Sequence, residues 1–412
     1  MYTSFVISLI VFALIAVRQL LPGWVRIWHV MGAGALAVLF LGEISPRAAL
    51  LAVDWDVLFY LFGVFSIAAS LHVNGFSEVL IAKVSDRFDL ERWGLLALMG
   101  FTAVTAAILT NDAAAVVGTP LALVLARSLK VSPVVPLIAL CAAATIGSLL
   151  TPVGNPQNVL IAAKGHFSDP IGTFFSWLAV PAAISFLFAF LWLSRCLARS
   201  RAKPEDSSVT LPRYERTRSW PALSATAFLV VLVLGDSLVQ GQQGQVLLPL
   251  GAIGLIAALP VFCFDRHRLK VLGEVDWATL VFFIAMFIVT SAVLSSGVLQ
   301  TWLAPVQDHL EEPSVIFLLG FWGSQLFSNV PTVEIYLNLI EAPDAAVSML
   351  LAASSTLAGN LFILSAASNV IVVQQAEKLG ARPFSFWQFF ALCLPITLVS
   401  LAVSYLWLLL LV

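Results

Sequence analysis

Charge is what this 412-residue chain has least of: Asp, Glu, Lys and Arg make up 11% of it, against a hydrophobic share of 60%. A soluble globular protein carries roughly 25% charged residues. So few charges cannot cover a water-exposed surface of this size, which excludes that class. The four cysteines, Cys141, Cys196, Cys263 and Cys393, lie far apart with no CxxC spacing, so neither a disulfide framework nor a zinc site is expected. His72, His166 and His309 fall at the ends of apolar segments and read as interfacial. No catalytic cluster points to an enzyme, nothing calls for a resident cofactor, and no basic patch interleaved with aromatics gives ground for a nucleic-acid partner. The apolar N-terminus lacks a basic n-region and a small-residue cleavage site, and so reads as a span rather than a signal peptide.

What the chain has in plenty is apolar runs near 20 residues, the length that crosses a hydrocarbon core of about 30 Å. The expected class is an all-α polytopic membrane protein in the lipid bilayer. Ten spans are expected, at 3–20, 27–42, 54–73, 133–163, 171–197, 220–239, 246–263, 276–296, 344–377 and 384–411. Two further apolar stretches, 93–128 and 313–340, are cut midway by the polar knots Thr110-Asn111-Asp112 and Ser328-Asn329-Val330-Pro331. Each half is short for a crossing. They read as re-entrant helical hairpins with tips near the midplane, where polar backbone is tolerated only inside protein or a wet cavity.

The basic residues orient this layout. With both termini outside, 19 of the 21 Lys and Arg residues fall on the cytoplasmic side, leaving Arg47 and Lys164 outside. Seven lie in the loop 195–218, so the linker 198–219 is expected to be cytoplasmic. The expected location is the plasma (inner) membrane.

An internal repeat divides the chain. Val53-Asp54-Trp55, a span and Gly75 recur at one constant offset as Val275-Asp276-Trp277, a span and Gly297, and the same offset maps Asp86 to Asp308. Each match is followed by an amphipathic link, a polar-tipped hairpin and a helix with a polar break. The halves 1–197 and 220–412 each hold five full spans, an odd number that inverts the second half relative to the first. Inverted repeats with broken helices meeting at the midplane are a plan of secondary transporters.

The tips and breaks carry the chemistry. Thr110 and Ser328 are residues that cap helix N-termini, so each second arm is expected to aim its free N–H groups at the bilayer centre. The first break contains Gly147, Ser148, Thr151, Pro152, Gly154, Asn155, Pro156, Gln157 and Asn158; the second contains Gly359, Asn360, Ser365, Ser368 and Asn369. Prolines free carbonyls in a helix, and Asn, Gln, Ser and Thr add oxygens and donors. Such loops can ligate Na+ (candidates Asn111, Gly154, Asn329 and Ser365) or hydrogen-bond an oxyanion. The expected binding set also takes in Thr332. Asp112 is the coupling candidate, because a carboxylate inside an apolar hairpin is costly unless paired, protonated or cation-bound. Glu334 is either a second coupling group or a water-facing arm residue.

Leu109-Thr110-Asn111-Asp112 with Thr119-Pro120, the run Gly147–Asn158, and Ser328-Asn329-Val330-Pro331-Thr332 together resemble the ion transporter superfamily, over most of the chain. That group includes citrate and dicarboxylate symporters, arsenite permeases and a type of sodium–proton antiporter. The Asn-Asp first tip and Asn-x-Pro-Thr second tip are similar to arsenite permeases. The Thr-Pro-x-Gly-Asn-Pro-x-Asn break is similar to the citrate-transporter-like anion permeases. Dicarboxylate symporters carry Ser-Asn-Thr in both tips, where this chain has Asp112 and Val330. The resemblance implies an elevator-like transport domain, often in a homodimer. It also implies movement of a small anion or oxyanion with H+ or Na+ as coupling ion, with arsenite or antimonite efflux and Na+/H+ exchange as alternatives.

Overall fold

The computed structural model describes residues 2–16, 25–75, 90–165, 167, 169–201, 220–243, 248–298, 301, 308–340 and 343–411. The link with Asp86, linker residues 202–219, the end of the first expected span and His166 lie outside the described residues. Among the described residues the regular structure is all helical. The first four helices are α1 (Thr3–Ala16), α2 (Ile27–Phe40), α3 (Pro46–Ala52) and α4 (Trp55–Val73). Then come the pair α5 (Leu90–Ile108) and α6 (Asn111–Ser128), the pair α7 (Val134–Ser148) and α8 (Pro156–Lys164), and the long α9 (Pro170–Arg201). The remainder starts with α10 (Trp220–Gln243), α11 (Leu250–Phe264), α12 (Arg268–Glu274) and α13 (Trp277–Ser295). It closes with the pair α14 (Pro313–Phe327) and α15 (Asn329–Leu339), the pair α16 (Ala345–Ala358) and α17 (Ala367–Lys378), and α18 (Phe386–Leu409).

Ten full-length spans are not what the described helices provide. Three, within α9, α13 and α18, are long and apolar enough to cross a bilayer alone, and the pair α3–α4, bent by 56°, makes a fourth. The helices α1, α2, α7, α11, α14 and α16 are apolar but shorter, and α10 is apolar over Trp220–Val233. Within the apolar run 133–163, where the sequence places a polar break, two helices are separated by a single 3-10 turn at Pro152–Gly154.

Short polar residues set the helix starts. Ser45, Thr110, Asn155, Asp276, Asp344 and Ser385 each accept a bond from the N–H three residues on, satisfying a donor that the first turn leaves open. Gly75 and Gly297, the matched glycines of the repeat, follow α4 and α13 with φ of 68° and 76°, the left-handed conformation glycine adopts without a Cβ clash.

The centre of the molecule is α7 and α16. Every residue of Val135–Ser148 and of Val347–Ala358 is buried. Both runs are rich in Ala, Ser and Thr, which let neighbouring helices approach closely. The long helices α9 and α18 pack on each other through a reciprocal pair of bonds: Trp192 Nε1 donates to the Leu392 carbonyl, and Trp407 Nε1 to that of Trp177, both at 2.9 Å. One register, pairing Trp177 with Leu392 and Trp192 with Trp407, exchanges donor and acceptor.

Candidate functional site

Two helix breaks cross at the centre, and both fold by one rule. In the first, the Asn158 amide nitrogen donates to the carbonyls of Ser148 and Thr151, both at 3.1 Å. In the second, that of Asn369 donates to the carbonyls of Gly359 and Phe362, at 2.7 and 3.4 Å. A single register superposes all three members: Ser148 on Gly359, Thr151 on Phe362 and Asn158 on Asn369. A helix that stops leaves its last carbonyls without intrahelical partners, and one asparagine from the following helix bonds the carbonyl at the helix end together with one inside the break. Gly154 sits against the same carbonyl: a Cβ there would come within 2.1 Å of the Ser148 oxygen. Thr151 ties the first break to the hairpin by donating to the Ala107 carbonyl at 2.6 Å. In the second break, Ser365 bonds the Gln325 side-chain oxygen, and Gln325 Nε2 donates to the Ala358 carbonyl at 2.9 Å.

Each tip meets the opposite half's break. Asn111, at the start of α6, approaches Ser368 of α17 at 3.5 Å. Asn329, at the start of α15, accepts from Gln157 of α8 at 3.2 Å. These are again one contact repeated. Asn329 is the tip counterpart of Asn111, and Ser368 takes the place of Gln157 in the register that relates the breaks. The breaks also touch directly, with Thr356 of α16 receiving Asn155 and Gln157 amides at 3.3 and 3.4 Å.

The two junctions differ in what they leave unsatisfied. With its nitrogen facing carbonyls, the Asn329 amide donates to Ser365 and Ser355 at 2.7 and 3.0 Å while its oxygen accepts from Gln157. All its capacity on that side is used. On the first tip and in the second break polar atoms are left over. Asn111 Oδ1, Asp112 Oδ1, Asn369 Oδ1 and both amide atoms of Asn360 are buried without a hydrogen-bond partner among the described residues. Buried side-chain polar atoms are nearly always paired, and each unpaired one costs about 1–3 kcal/mol. A cation or the hydroxyls of a ligand would satisfy such oxygens.

The tips differ as well. Thr110 caps α6, accepting from the Ala113 N–H at 3.0 Å. Ser328 does not cap α15, contrary to the sequence expectation. Its φ of 72° and ψ of 165° turn its side chain away from the helix end, and no side-chain cap bond forms. Its carbonyl instead accepts the Thr332 hydroxyl at 2.8 Å. This is a conformation usually reserved for glycine, and such strain gathers at functional sites. Glu334 is exposed on α15, whereas Asp112 is buried.

A cavity of about 80 Å³ lies between the first tip and break (Thr110, Val153, Asn155) and helices α10 and α11 (Val233, Asp236, Ile253). A smaller one of about 20 Å³ lies between Ser328 and Leu364 on one side and α1, α2 and α13 on the other. Asp236, Gln325 and Thr356 were outside the tips and breaks read from sequence, whereas Gln157 and Ser368 lie inside the two breaks without having been singled out as binding residues. Gln325 is a lone amide in an apolar arm and so left a trace. Thr356 looks like an ordinary small polar residue.

A family model described as "Citrate transporter" matches residues 9–348. The inner membrane protein YbiR of Escherichia coli (strain K12) is 28% identical, over 89% of this chain and 91% of its own length. The silicon efflux transporter LSI3 of Oryza sativa subsp. japonica is also 28% identical, over 96% of this chain and 95% of its own. Among solved structures, that of the Alcanivorax borkumensis YdaH transporter aligns with 90% of this chain and 87% of its own, at 17% identity and a TM-score of 0.49.

Proposed function

Because the chain belongs to the citrate transporter family, we propose that this integral membrane transporter is a secondary one, moving a small anion or oxyanion across the plasma membrane coupled to H+ or Na+. The halves act as inverted repeats, with hairpins 93–128 and 313–340 re-entrant and the broken helices travelling with them in an elevator motion. The reciprocal contacts, in which each half repeats the other's bonds at the breaks, the tips and the α9–α18 pair, support the repeat reading. One observation carries the function: on the first tip Asn111 Oδ1 and Asp112 Oδ1 are buried without a hydrogen-bond partner among the described residues, as are Asn369 Oδ1 and the Asn360 amide in the second break, and Asn111 reaches that break at Ser368. We assign the coupling ion to that junction, with Asp112 as the titrating or cation-binding group. The fully bonded junction at Asn329 acts as its structural counterpart.

A second reading has its own support. The segments 109–113, 149–158, 327–332 and 359–369 contain no Lys or Arg, so nothing in them offers a counter-charge to an anion. Hydroxyls of a neutral acid such as arsenite would donate to the unsatisfied oxygens, and one relative carries the name of a silicon efflux transporter.

Thermal unfolding of the purified protein with citrate, phosphate, arsenite and silicic acid, in sodium or potassium at two pH values, tests both readings. A ligand that binds the folded state raises its apparent stability. A shift with an anion supports the first reading, and a shift with a neutral acid alone supports the second. No shift with any of them contradicts both.

A further inference from the structure

The repeated Val-Asp-Trp motifs open α4 and α13 in the same way. Asp54 accepts from the Val57 N–H at 3.0 Å and Asp276 from the Thr279 N–H at 3.1 Å. The Trp55 and Trp277 indoles donate to the carbonyls of Leu50 and Leu272. Beyond that the equivalence ends. Asp276 is buried and also accepts from Gln375 Nε2 of α17 at 3.0 Å. Beside it Thr279 bonds Gln374, and Lys378 pairs with Glu274 at 3.3 Å. Asp54 is exposed. The residue equivalent to Gln375, in the register that superposes Asn158 on Asn369, is Lys164 at the end of α8. Lys164 donates to the Leu337 carbonyl of α15 at 3.3 Å rather than to Asp54. The packing is lopsided in the same sense: α13 lies on α17, whereas α4 lies on α6.

Two halves with matching internal bonds but unequal contacts between α4 or α13 and the broken helices describe one end state of a two-state device. Exchanging the roles of the halves generates the other. In that exchange the Asp276–Gln375 bond opens, and the equivalent pair, Asp54 and Lys164, comes together as an ion pair. We propose that Asp276–Gln375 and Asp54–Lys164 are alternating positioning contacts, each holding the broken helices in one end state of the transport cycle. Lys164 is one of only two basic residues that the expected orientation places outside, and Asp54 lies on that same face. Asp276, Glu274 and Lys378 lie on the cytoplasmic face. The contact closed here is therefore the cytoplasmic one. This inference rests on the inverted-repeat reading but on no particular substrate.

The test uses the full-length protein in lipid vesicles, with Cys196 and Cys263, the two cysteines that are not buried, changed to Ser. Glu274→Cys with Lys378→Cys reports the closed cytoplasmic contact by disulfide yield. Asp54→Asn retains the acceptor for the Val57 N–H but removes the charge. It is expected to raise the reporter yield, with the ratio of states changing by up to about fivefold, the scale of an exposed ion pair. Asp54→Lys is expected to raise it at least as far, and adding Lys164→Asp to return it toward the parent value. A yield unchanged by Asp54→Asn, or a charge-reversed double variant no nearer the parent than Asp54→Lys alone, overturns the proposal. Because the reporter needs no ligand, its outcome is separate from that of the substrate panel.

Discussion

The junction of the first tip with the second break and the junction of the second tip with the first break pair corresponding residues and differ in saturation. With its amide nitrogen toward the carbonyls, Asn329 donates to Ser355 and Ser365 of its own half and accepts from Gln157 of the first break. At Asn111 the side chain makes one bond among the described residues, at 3.5 Å, and Asp112 beside it is buried with an oxygen unpaired. The first tip is relaxed and capped; the second is strained and uncapped. In the proposed repeat, one copy would serve as frame while the other keeps open valence. The lesson is that position within a repeat does not assign a role, whereas the unsatisfied buried atoms separate the two copies.

Replacing the two tip asparagines should break the comparison most sharply. Asn111→Ala and Asn329→Ala are both expected to abolish transport in vesicles, but for different reasons. Asn329→Ala removes the partner of two carbonyls and of one of the two Gln157 amide bonds, so it should also lower stability by up to about 1–3 kcal/mol per unpaired group, read as a fall in Tm. Asn111→Ala should leave Tm near that of the parent and remove the ligand-induced shift. Equal losses of Tm in the two variants would erase the distinction between frame and binding junction.

Next come the residues that precede each tip helix, where opposite signs are expected. Thr110→Ala removes a cap and should destabilise by about 1 kcal/mol. Ser328→Gly relaxes a conformation that costs of order 1–3 kcal/mol in a non-glycine residue. It should therefore raise Tm while slowing transport if the strain holds the tip in place. Two variants shifting Tm in the same direction would mean that the tips are alike. The smallest effect is expected at Glu334→Gln, an exposed position where substitutions usually stay within about 0.5 kcal/mol. A loss of gradient dependence in that variant would move coupling to the second hairpin.

Helical class and family membership were legible in the sequence, the first from the charge-poor apolar runs and the second from the tip and break motifs read together. Exact helix ends were not, because hydropathy runs on past the residue at which a helix stops. Ser328 misled for a related reason. A serine before a helix suggests a cap, but residue type does not reveal a positive φ imposed by the tight turn. The partners of the tips were also out of reach. Asn111 meets Ser368 and Asn329 meets Gln157, pairs formed by the packing of one half on the other, and Thr356 is not distinguishable from a small core residue by local pattern.

The central claim is that coupling resides at the unsaturated junction, through Asp112. Asp112→Asn keeps the size and hydrogen bonding of the protonated side chain and removes its titration and formal charge. In reconstituted vesicles with pH and sodium gradients imposed one at a time, substrate exchange should persist. Accumulation driven by the coupling gradient should vanish: the pH gradient if Asp112 carries a proton, the sodium gradient if it ligates the ion. Accumulation unchanged under both gradients would contradict the account and reduce Asp112 to a residue of the α6 first turn.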